Sequence, residues 1–265
     1  MGSLAVPAST LQKSVFTLFA AALMAAALFS IKGCGIVENG RDANIPQTML
    51  WAWERPENLS FIDTDTTGIA FLAQTVALQN EDVLRRPRMQ PLEIPEGSFV
   101  MAVTRIETAK EPDKRPNLED EQLRKTVDLI ERTLDLPNVR AVQVDFDAVV
   151  SERVFYRKLL TALRDSIPER IPLSITSLAS WCIGDRWFRD LPVDEVVPMA
   201  FEMGADEERI RKFLLDGNDW TERTCRKSYG LLADDRLVDA IDTSRRIYYF
   251  KRVPWTPEDK EAIKR

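Results

Sequence analysis

Eight short apolar segments recur along the chain from residue 49 onward, and each is rich in β-branched, aliphatic or aromatic residues. Each has the length of a β-strand, and several end in a cluster of polar or aromatic side chains. The predicted strands are Met49–Glu54, Gly68–Ala77, Phe99–Glu107, Arg140–Asp147, Pro172–Ser180, Glu195–Met203, Ser228–Ala233 and Arg246–Arg252.

Helical patterns separate most of the later segments. Residues 118–134 carry apolar positions at helical spacing, with acidic residues early, as a helix N-terminus favours. Ser151 has the chemistry of a helix cap and predicts a second helix that continues through Leu163. Three further helices are predicted over Asp206–Leu215, Asp234–Ile241 and Thr256–Ile263.

This order of elements predicts an α/β fold. Strands that alternate with helices pair in parallel, and eight such units close into a barrel. We therefore expect a compact (β/α)8 TIM-type barrel over residues 49–265. Prolines at 87, 91 and 95 make the stretch between 77 and 99 poor helix material, so we expect irregular or missing helices in the N-terminal half. An open doubly wound sheet is the alternative.

The N-terminus has the pattern of an export signal. An apolar run over 14–31 follows Lys13, and no acidic residue precedes Glu38. The sequence Ile-Lys-Gly-Cys that ends at Cys34 resembles the bacterial lipoprotein signal. We predict a leader over 1–33, lipidation of Cys34, a tether over 34–48 and a membrane-anchored domain on the periplasmic side of the cell envelope. An uncleaved anchor and ordinary cleavage are alternatives, and both also export the domain.

Composition limits the chemistry. The chain has no histidine, which excludes Ser-His and Cys-His nucleophilic arrangements and histidine-containing zinc sites. The net charge of −6 argues against a nucleic-acid partner. We predict no cofactor and no metal site, and we expect Asp and Glu to carry any acid–base chemistry. In an oxidising compartment Cys182 and Cys225 can form a disulfide, with two unpaired buried thiols as the alternative.

The fourth predicted strand carries the main candidate site. Alternation sends Gln143, Asp145 and Asp147 to one face and the apolar residues between them to the other. Buried carboxylates are costly unless paired or functional, and active sites of this fold lie at the carboxyl ends of the strands. The alternative for each aspartate is a structural role, capping a loop or holding an arginine.

Other strand ends add aromatic and charged groups, a combination that suits a sugar. We predict polysaccharide or oligosaccharide as the partner. The predicted catalytic residues are Asp147, Asp145, Glu107 and Glu202. The predicted substrate-binding residues are Trp51, Trp53, Glu54, Arg105, Gln143, Trp181, Phe201 and Asp235.

Five stretches of the chain resemble a bacterial family, domain of unknown function 3142. They are LWAWERPE, VTRIET, VQVDFDAVVSER, PLSITSLASWC and LPVDEVVPMAFEMG, between about Leu50 and Gly204, with a looser continuation to Trp255. That resemblance implies a fold but no reaction. More distantly, Asp145-Phe-Asp147 is similar to the acidic strand Asp-x-Asp-x-Glu of chitinase-like glycosidases, whose final Glu is the proton donor. Val149 stands at that position here, and Glu152 lies three residues further on.

Three functions follow from these features. The first is a glycoside hydrolase, with Asp147 as the acid and Asp145 tuning its pKa, because residues two apart in a strand separate their Cα atoms by about 6.6–7 Å, within the spacing such enzymes use. The second is a non-catalytic glycan-binding or scaffolding lipoprotein. The third is a divalent cation site of Asp145, Asp147 and Glu107 for phosphoester chemistry, against which the acidic composition counts.

Overall fold

A computed structural model describes Gly2, residues 40–185, Trp187, residues 189–261 and Ile263. The predicted leader and Cys34 lie outside the described residues. Within the described part, no helix is long and apolar enough to cross a membrane.

The described part contains eleven strands. They are β1 Thr48–Ala52, β2 Glu57–Asn58, β3 Thr67–Gln79, β4 Asp82–Pro87, β5 Leu92–Glu93, β6 Val100–Thr108, β7 Val139–Asp145, β8 Leu173–Leu178, β9 Glu195–Met199, β10 Ser228–Leu232 and β11 Arg246–Phe250. Eight of them, β1, β3 and β6 to β11, pair side by side in parallel in that order. Strand β1 pairs with both β3 and β11, which closes the barrel. The predicted TIM-type barrel is confirmed.

Three α-helices cover the outside of the barrel: α1 Asp120–Glu131, α2 Arg153–Ser166 and α3 Glu207–Leu215. Two of the other predicted helices are instead short 3-10 segments, Arg236–Ala240 and Pro257–Glu261. In place of the α-helix predicted over 234–241, the link between β10 and β11 contains a five-residue 3-10 segment capped by the carboxylate of Asp235, which accepts the Leu237 N–H.

The start of α2 also differs from the prediction. Ser151 lies inside a 3-10 turn, Val150–Glu152, and makes no side-chain cap. The carboxylate of Glu152 instead accepts the backbone N–H of Val149 at 2.9 Å. A carboxylate suits this position because the first turn of a helix leaves N–H groups without partners inside the helix.

Between β1 and β6, a stretch that the structure describes throughout, there is no helix, and prolines 87, 91 and 95 lie in this stretch. Strand β3 is 13 residues long, and its second half pairs antiparallel with β4. The turn between them is Asn80-Glu81, with Asn80 at a φ of 44°, a left-handed conformation that asparagine tolerates. A small parallel pair, β2 with β5, lies outside the barrel sheet.

The barrel interior is polar near the N-terminal ends of its strands. Glu195 is fully buried, and its carboxylate accepts hydrogen bonds from Arg246 and, at 2.7 Å, from the hydroxyl of Tyr248. Arg246 also donates to three backbone carbonyl oxygens of the segment 42–46 at 2.9–3.1 Å. Ile45 packs among the apolar side chains of the interior. Part of the predicted tether is therefore packed against the barrel.

Candidate functional site

A cavity of about 320 Å³ lies at the carboxyl ends of the barrel strands. Its lining combines aromatic rings, an arginine and several carboxylates. The aromatic residues are Trp51, Trp53, Phe201 and Phe250, and the charged residues are Arg105, Asp145, Asp147, Glu202 and Asp206. Acidic, arginine and aromatic side chains therefore line one cavity at this end of the barrel, where the sequence predicts them.

The aromatic wall is a packed group. Trp51 stacks on Phe250 with ring centroids 4.6 Å apart, and Phe201 lies 4.7 Å from the same ring. Trp51 is buried, whereas Trp53 is partly exposed at the mouth, 6.0 Å from Trp51. Trp53 is therefore the tryptophan face that a ligand in the cavity can reach, and the other rings support it.

Asp145 is held by two neighbouring strands. Its Oδ2 accepts a hydrogen bond from Nη1 of Arg105 at 2.9 Å, and its Oδ1 accepts one from the hydroxyl of Thr176 at 2.8 Å. Asp145 is 3% exposed. Both carboxylate oxygens accept hydrogen bonds and the negative charge is paired with Arg105. These interactions offset the free-energy cost of burying a charged group.

Asp147 has different surroundings. It is exposed to the cavity, and no side chain of the described part donates a hydrogen bond to it. Two causes raise the pKa of the Asp147 carboxyl above its ordinary value. The larger is desolvation by the surrounding protein atoms, and the second is the negative charge of Asp145. The positive charges of Arg105 and Lys110 oppose that rise. Two neighbouring carboxyl groups thus lie in contrasting environments, an arrangement typical of acid–base pairs.

Glu202 lines the same cavity from the end of β9. Its Oε1 accepts hydrogen bonds from Arg252, with the Nε at 3.0 Å, and both side chains are largely exposed. The backbone of Glu202 has a φ of 51°, a left-handed conformation that is uncommon for residues other than glycine. Strained backbone of this kind recurs at binding sites.

Five predicted site residues do not reach the cavity. Glu107 lies in β6 past the last residue that pairs with β7, and its carboxylate forms ion pairs with Arg86 and Arg105. Gln143 is fully buried below Asp145, where its amide donates to Ser174 at 2.8 Å. The other three are Trp181, Asp235 and Glu54, described next.

Trp181 and Asp235 follow their strands, where alternation no longer fixes the direction of a side chain. Trp181 lies in the 3-10 segment Ala179–Cys182 and packs edge-on against Trp187 in the outer core, with centroids 4.9 Å apart. The carboxylate of Asp235 accepts two hydrogen bonds from Arg211, at 2.6 and 2.8 Å. Glu54 is exposed and does not line the cavity either.

Sequence reasoning missed Thr176 and Asp206. Thr176 faces inward on β8, and the alternation of Ser174 and Thr176 with apolar residues is the signal that predicts its direction. Asp206 lines the cavity from a 3-10 turn, where no periodic pattern identifies it.

The position that holds the proton donor in chitinase-like strands is Val149, which is 48% exposed. Glu152 is buried and points away from the mouth, because its carboxylate accepts hydrogen bonds from Thr108 at 2.7 Å and Lys110 at 3.2 Å in addition to the Val149 N–H. Glu152 therefore stabilises the start of α2 and does not replace the missing glutamate.

The structure joins Cys182 and Cys225 in a disulfide, with Cα atoms 6.0 Å apart, a normal separation. The bond connects the segment after β8 to the one before β10. Within the described residues, no group of three or more acidic or cysteine side chains is placed to hold a metal ion. Asp145, Asp147 and Glu107 do not converge, because Arg105 lies between Asp145 and Glu107.

Solved structures with a similar fold are α/β-barrel enzymes. The catalytic domain of a family GH18 chitinase from the fern Peteris ryukyuensis matches 82% of this chain and 98% of its own, at 8% identity and a TM-score of 0.50. A family GH18 chitinase from Chromobacterium violaceum matches 83% and 82%, at 11% identity and 0.49. Phosphoribosyl anthranilate isomerase from Thermus thermophilus matches 81% and 96%, at 10% and 0.45.

At such low identity the likeness to the fern chitinase domain shows the fold alone: the chain has the barrel fold of that domain. No protein-family profile matches the chain, and neither does any curated protein sequence. The resemblance to domain of unknown function 3142 therefore stays a prediction.

Proposed function

We propose that the protein is a glycoside-hydrolase-like, carbohydrate-active protein that takes a polysaccharide or oligosaccharide into the barrel mouth. One observation carries this proposal: an accessible carboxyl with a raised pKa, Asp147, opens into the same cavity as the exposed ring of Trp53. A sugar stacks its C–H face on an aromatic ring, and a carboxyl that holds its proton above its ordinary pKa can protonate a glycosidic oxygen.

In this proposal Asp147 is the general acid. Asp145 stays in its ion pair with Arg105, and its negative charge helps Asp147 to retain the proton. Glu202, which lines the same cavity from the segment after β9, is the candidate for the second carboxylate that glycosidases require, as nucleophile or as base for water. Glu107 remains a weaker candidate, since it lies on the rim.

A non-catalytic glycan-binding protein is the second candidate. It is favoured by Val149, which stands where chitinase-like strands carry the proton donor, and by the hydrogen bonds that hold Glu152 away from the mouth. The same aromatic and carboxylate lining then binds the sugar without cleaving it.

A screen separates the two candidates. The full chain in detergent is tested against bacterial and plant polysaccharides for binding and for release of reducing ends, beside Asp147→Asn and a control variant, Asp128→Asn, on the exposed face of α1. Turnover that Asp147→Asn abolishes, with binding retained and the control unchanged, supports the hydrolase. Binding without turnover in every variant supports the glycan-binding protein. Neither activity in the wild-type chain contradicts both.

We also propose that the protein is an exported lipoprotein, anchored through Cys34 on the periplasmic side of the bacterial envelope. The Cys182–Cys225 disulfide supports export, because such bonds persist in oxidising compartments. The test is incorporation of labelled palmitate in cells that produce the wild-type chain or Cys34→Ala. Label in the wild-type chain that is lost in the variant supports the anchor, and equal labelling, or none, contradicts it.

A further inference from the structure

A second concavity, of about 680 Å³, lies beside the mouth. It is bounded by the link between β6 and α1 and by the first turn of α2, and we call it the basic groove. Lys110, Arg115 and Lys158 line it, and Glu152 is the one acidic residue among the described residues that do so. Val149 lines the groove two residues after Asp147, which lines the cavity, so the two concavities share a rim.

The cations of the groove are accessible. Arg115 is exposed and forms no ion pair with any residue in the described part of the chain. Lys158 lies 3.5 Å from Asp120, with both side chains more than half exposed, so that pair is weak and open to exchange. Lys110 is 63% exposed and contacts Glu152 at 3.2 Å. The positive charge of Lys110 also opposes the rise in the pKa of Asp147, so the groove and the cavity are within electrostatic reach of each other.

Apolar groups accompany these charges. Val149 is 48% exposed and Val154 is 71% exposed, and both line the groove. Two exposed valines are not expected on a basic surface that contacts only water. A surface that binds a charged sugar uses apolar side chains against the C–H groups of the sugar, together with charged side chains. The chain as a whole carries a net charge of −6, and the charged residues of the cavity are mainly acidic. The basic groove, lined by three cations and one acid, is therefore a positively charged patch on a negatively charged protein.

We propose that the basic groove binds a negatively charged segment of the glycan whose neighbouring units occupy the cavity, so that the ligand is an acidic polysaccharide bearing carboxylate groups. This inference rests on the proposed function. An overall negative protein repels a polyanion, and cations along its path offset that repulsion at short range. The neutral part of the sugar then lies against Trp53 and Asp147, and its carboxylates face Arg115 and Lys158.

The test compares two probes with the same sugar backbone: hexamers of galacturonic acid, and the same hexamers whose carboxyl groups are methyl-esterified and therefore uncharged. Binding to the full chain in detergent is measured at low and at high salt. The groove variant is Arg115→Gln with Lys158→Gln, both exposed positions where folding is expected to survive. The control variant, Lys212→Gln with Arg223→Gln, removes the same charge from exposed positions elsewhere.

The wild-type chain should bind the charged hexamer roughly tenfold more tightly than the ester at low salt, with the preference falling as salt rises. The groove variant should lose most of this preference, and the control variant should keep it. Equal affinity for both probes, no binding of either, or equal loss in the groove and control variants would overturn the inference. A preference for the charged hexamer without turnover of any polysaccharide would contradict the hydrolase proposal but would still support an anionic ligand in the basic groove.

Discussion

Arg105 on β6 and Asp145 on β7 form an ion pair, with Nη1 and Oδ2 2.9 Å apart, and both residues line the cavity. The guanidinium of Arg105 also lies over the ring of Trp53, 5.6 Å from its centroid. One arginine therefore fixes a buried carboxylate and lies over the ring of the partly exposed Trp53. Asp147 is left as the accessible carboxyl of the pair.

Removing this arginine should be costly. Arg105→Gln leaves the charge of the buried Asp145 without its partner, and we expect the free energy of unfolding to fall by about 1–3 kcal/mol, less than for a fully buried pair because Arg105 is partly exposed. Urea unfolding measures it. The matched control is Arg86→Gln, whose ion pair with Glu107 is exposed on both sides and should cost less than about 1 kcal/mol. Equal losses in the two variants would contradict this account.

The pKa of Asp147 predicts a pH dependence. Because the folded-state pKa is raised, the folded chain retains this proton at pH values where the unfolded chain has lost it, so wild-type stability should fall relative to Asp147→Asn as pH rises through that window, above about pH 4. Thermal unfolding of both proteins across this range measures the difference. Asp128→Asn, on an exposed face, should track the wild type. A gap between wild type and Asp147→Asn that does not change with pH would show that the pKa is not raised.

The ion pair between Glu195 and Arg246 inside the barrel should contribute more to stability than the pair between Arg105 and Asp145. Glu195→Gln removes the charge that compensates Arg246 in the buried interior, and we expect a loss of about 3–5 kcal/mol in unfolding free energy. Tyr248→Phe removes one hydrogen bond to the same carboxylate and should cost about 1 kcal/mol. Denaturant unfolding of both variants checks the order, and a larger loss for Tyr248→Phe would refute it.

The disulfide closes a loop across 43 residues, between Cys182 and Cys225. By loop entropy its removal should cost about 3–4 kcal/mol. The comparison is the double variant Cys182→Ala with Cys225→Ala against the wild-type chain, each unfolded with and without reductant. Reductant should destabilise the wild-type chain and leave the double variant unchanged. An unaffected wild-type chain would mean that the bond does not form.

The eight barrel strands could be predicted because each is a short segment rich in β-branched, aliphatic or aromatic residues. The inward direction of Asp145 could be predicted because polar and apolar residues alternate along β7. The antiparallel hairpin of β3 and β4 was missed because β4 is mainly exposed and half of its residues are charged, so no apolar alternation marks it as a strand.

Side chains beyond the strand ends were harder to predict. Trp181 lies in a 3-10 segment and packs against Trp187, whereas Asp235 precedes one and accepts hydrogen bonds from the Leu237 N–H and from Arg211, 24 residues away. Both residues lie past the ends of their strands, where the two-residue alternation of a strand no longer fixes the direction of a side chain. The burial of Glu152 was also hidden, since two of its partners, Thr108 and Lys110, come from the end of β6 and the loop after it.

The most direct test of the central claim is a crystal structure of Asp147→Asn with the oligosaccharide that the wild-type chain binds best in the polysaccharide screen. The account predicts a sugar ring stacked on Trp53 and a glycosidic oxygen within hydrogen-bond distance of the side chain at position 147. An oligosaccharide bound elsewhere on the molecule, with the mouth empty, would contradict the account.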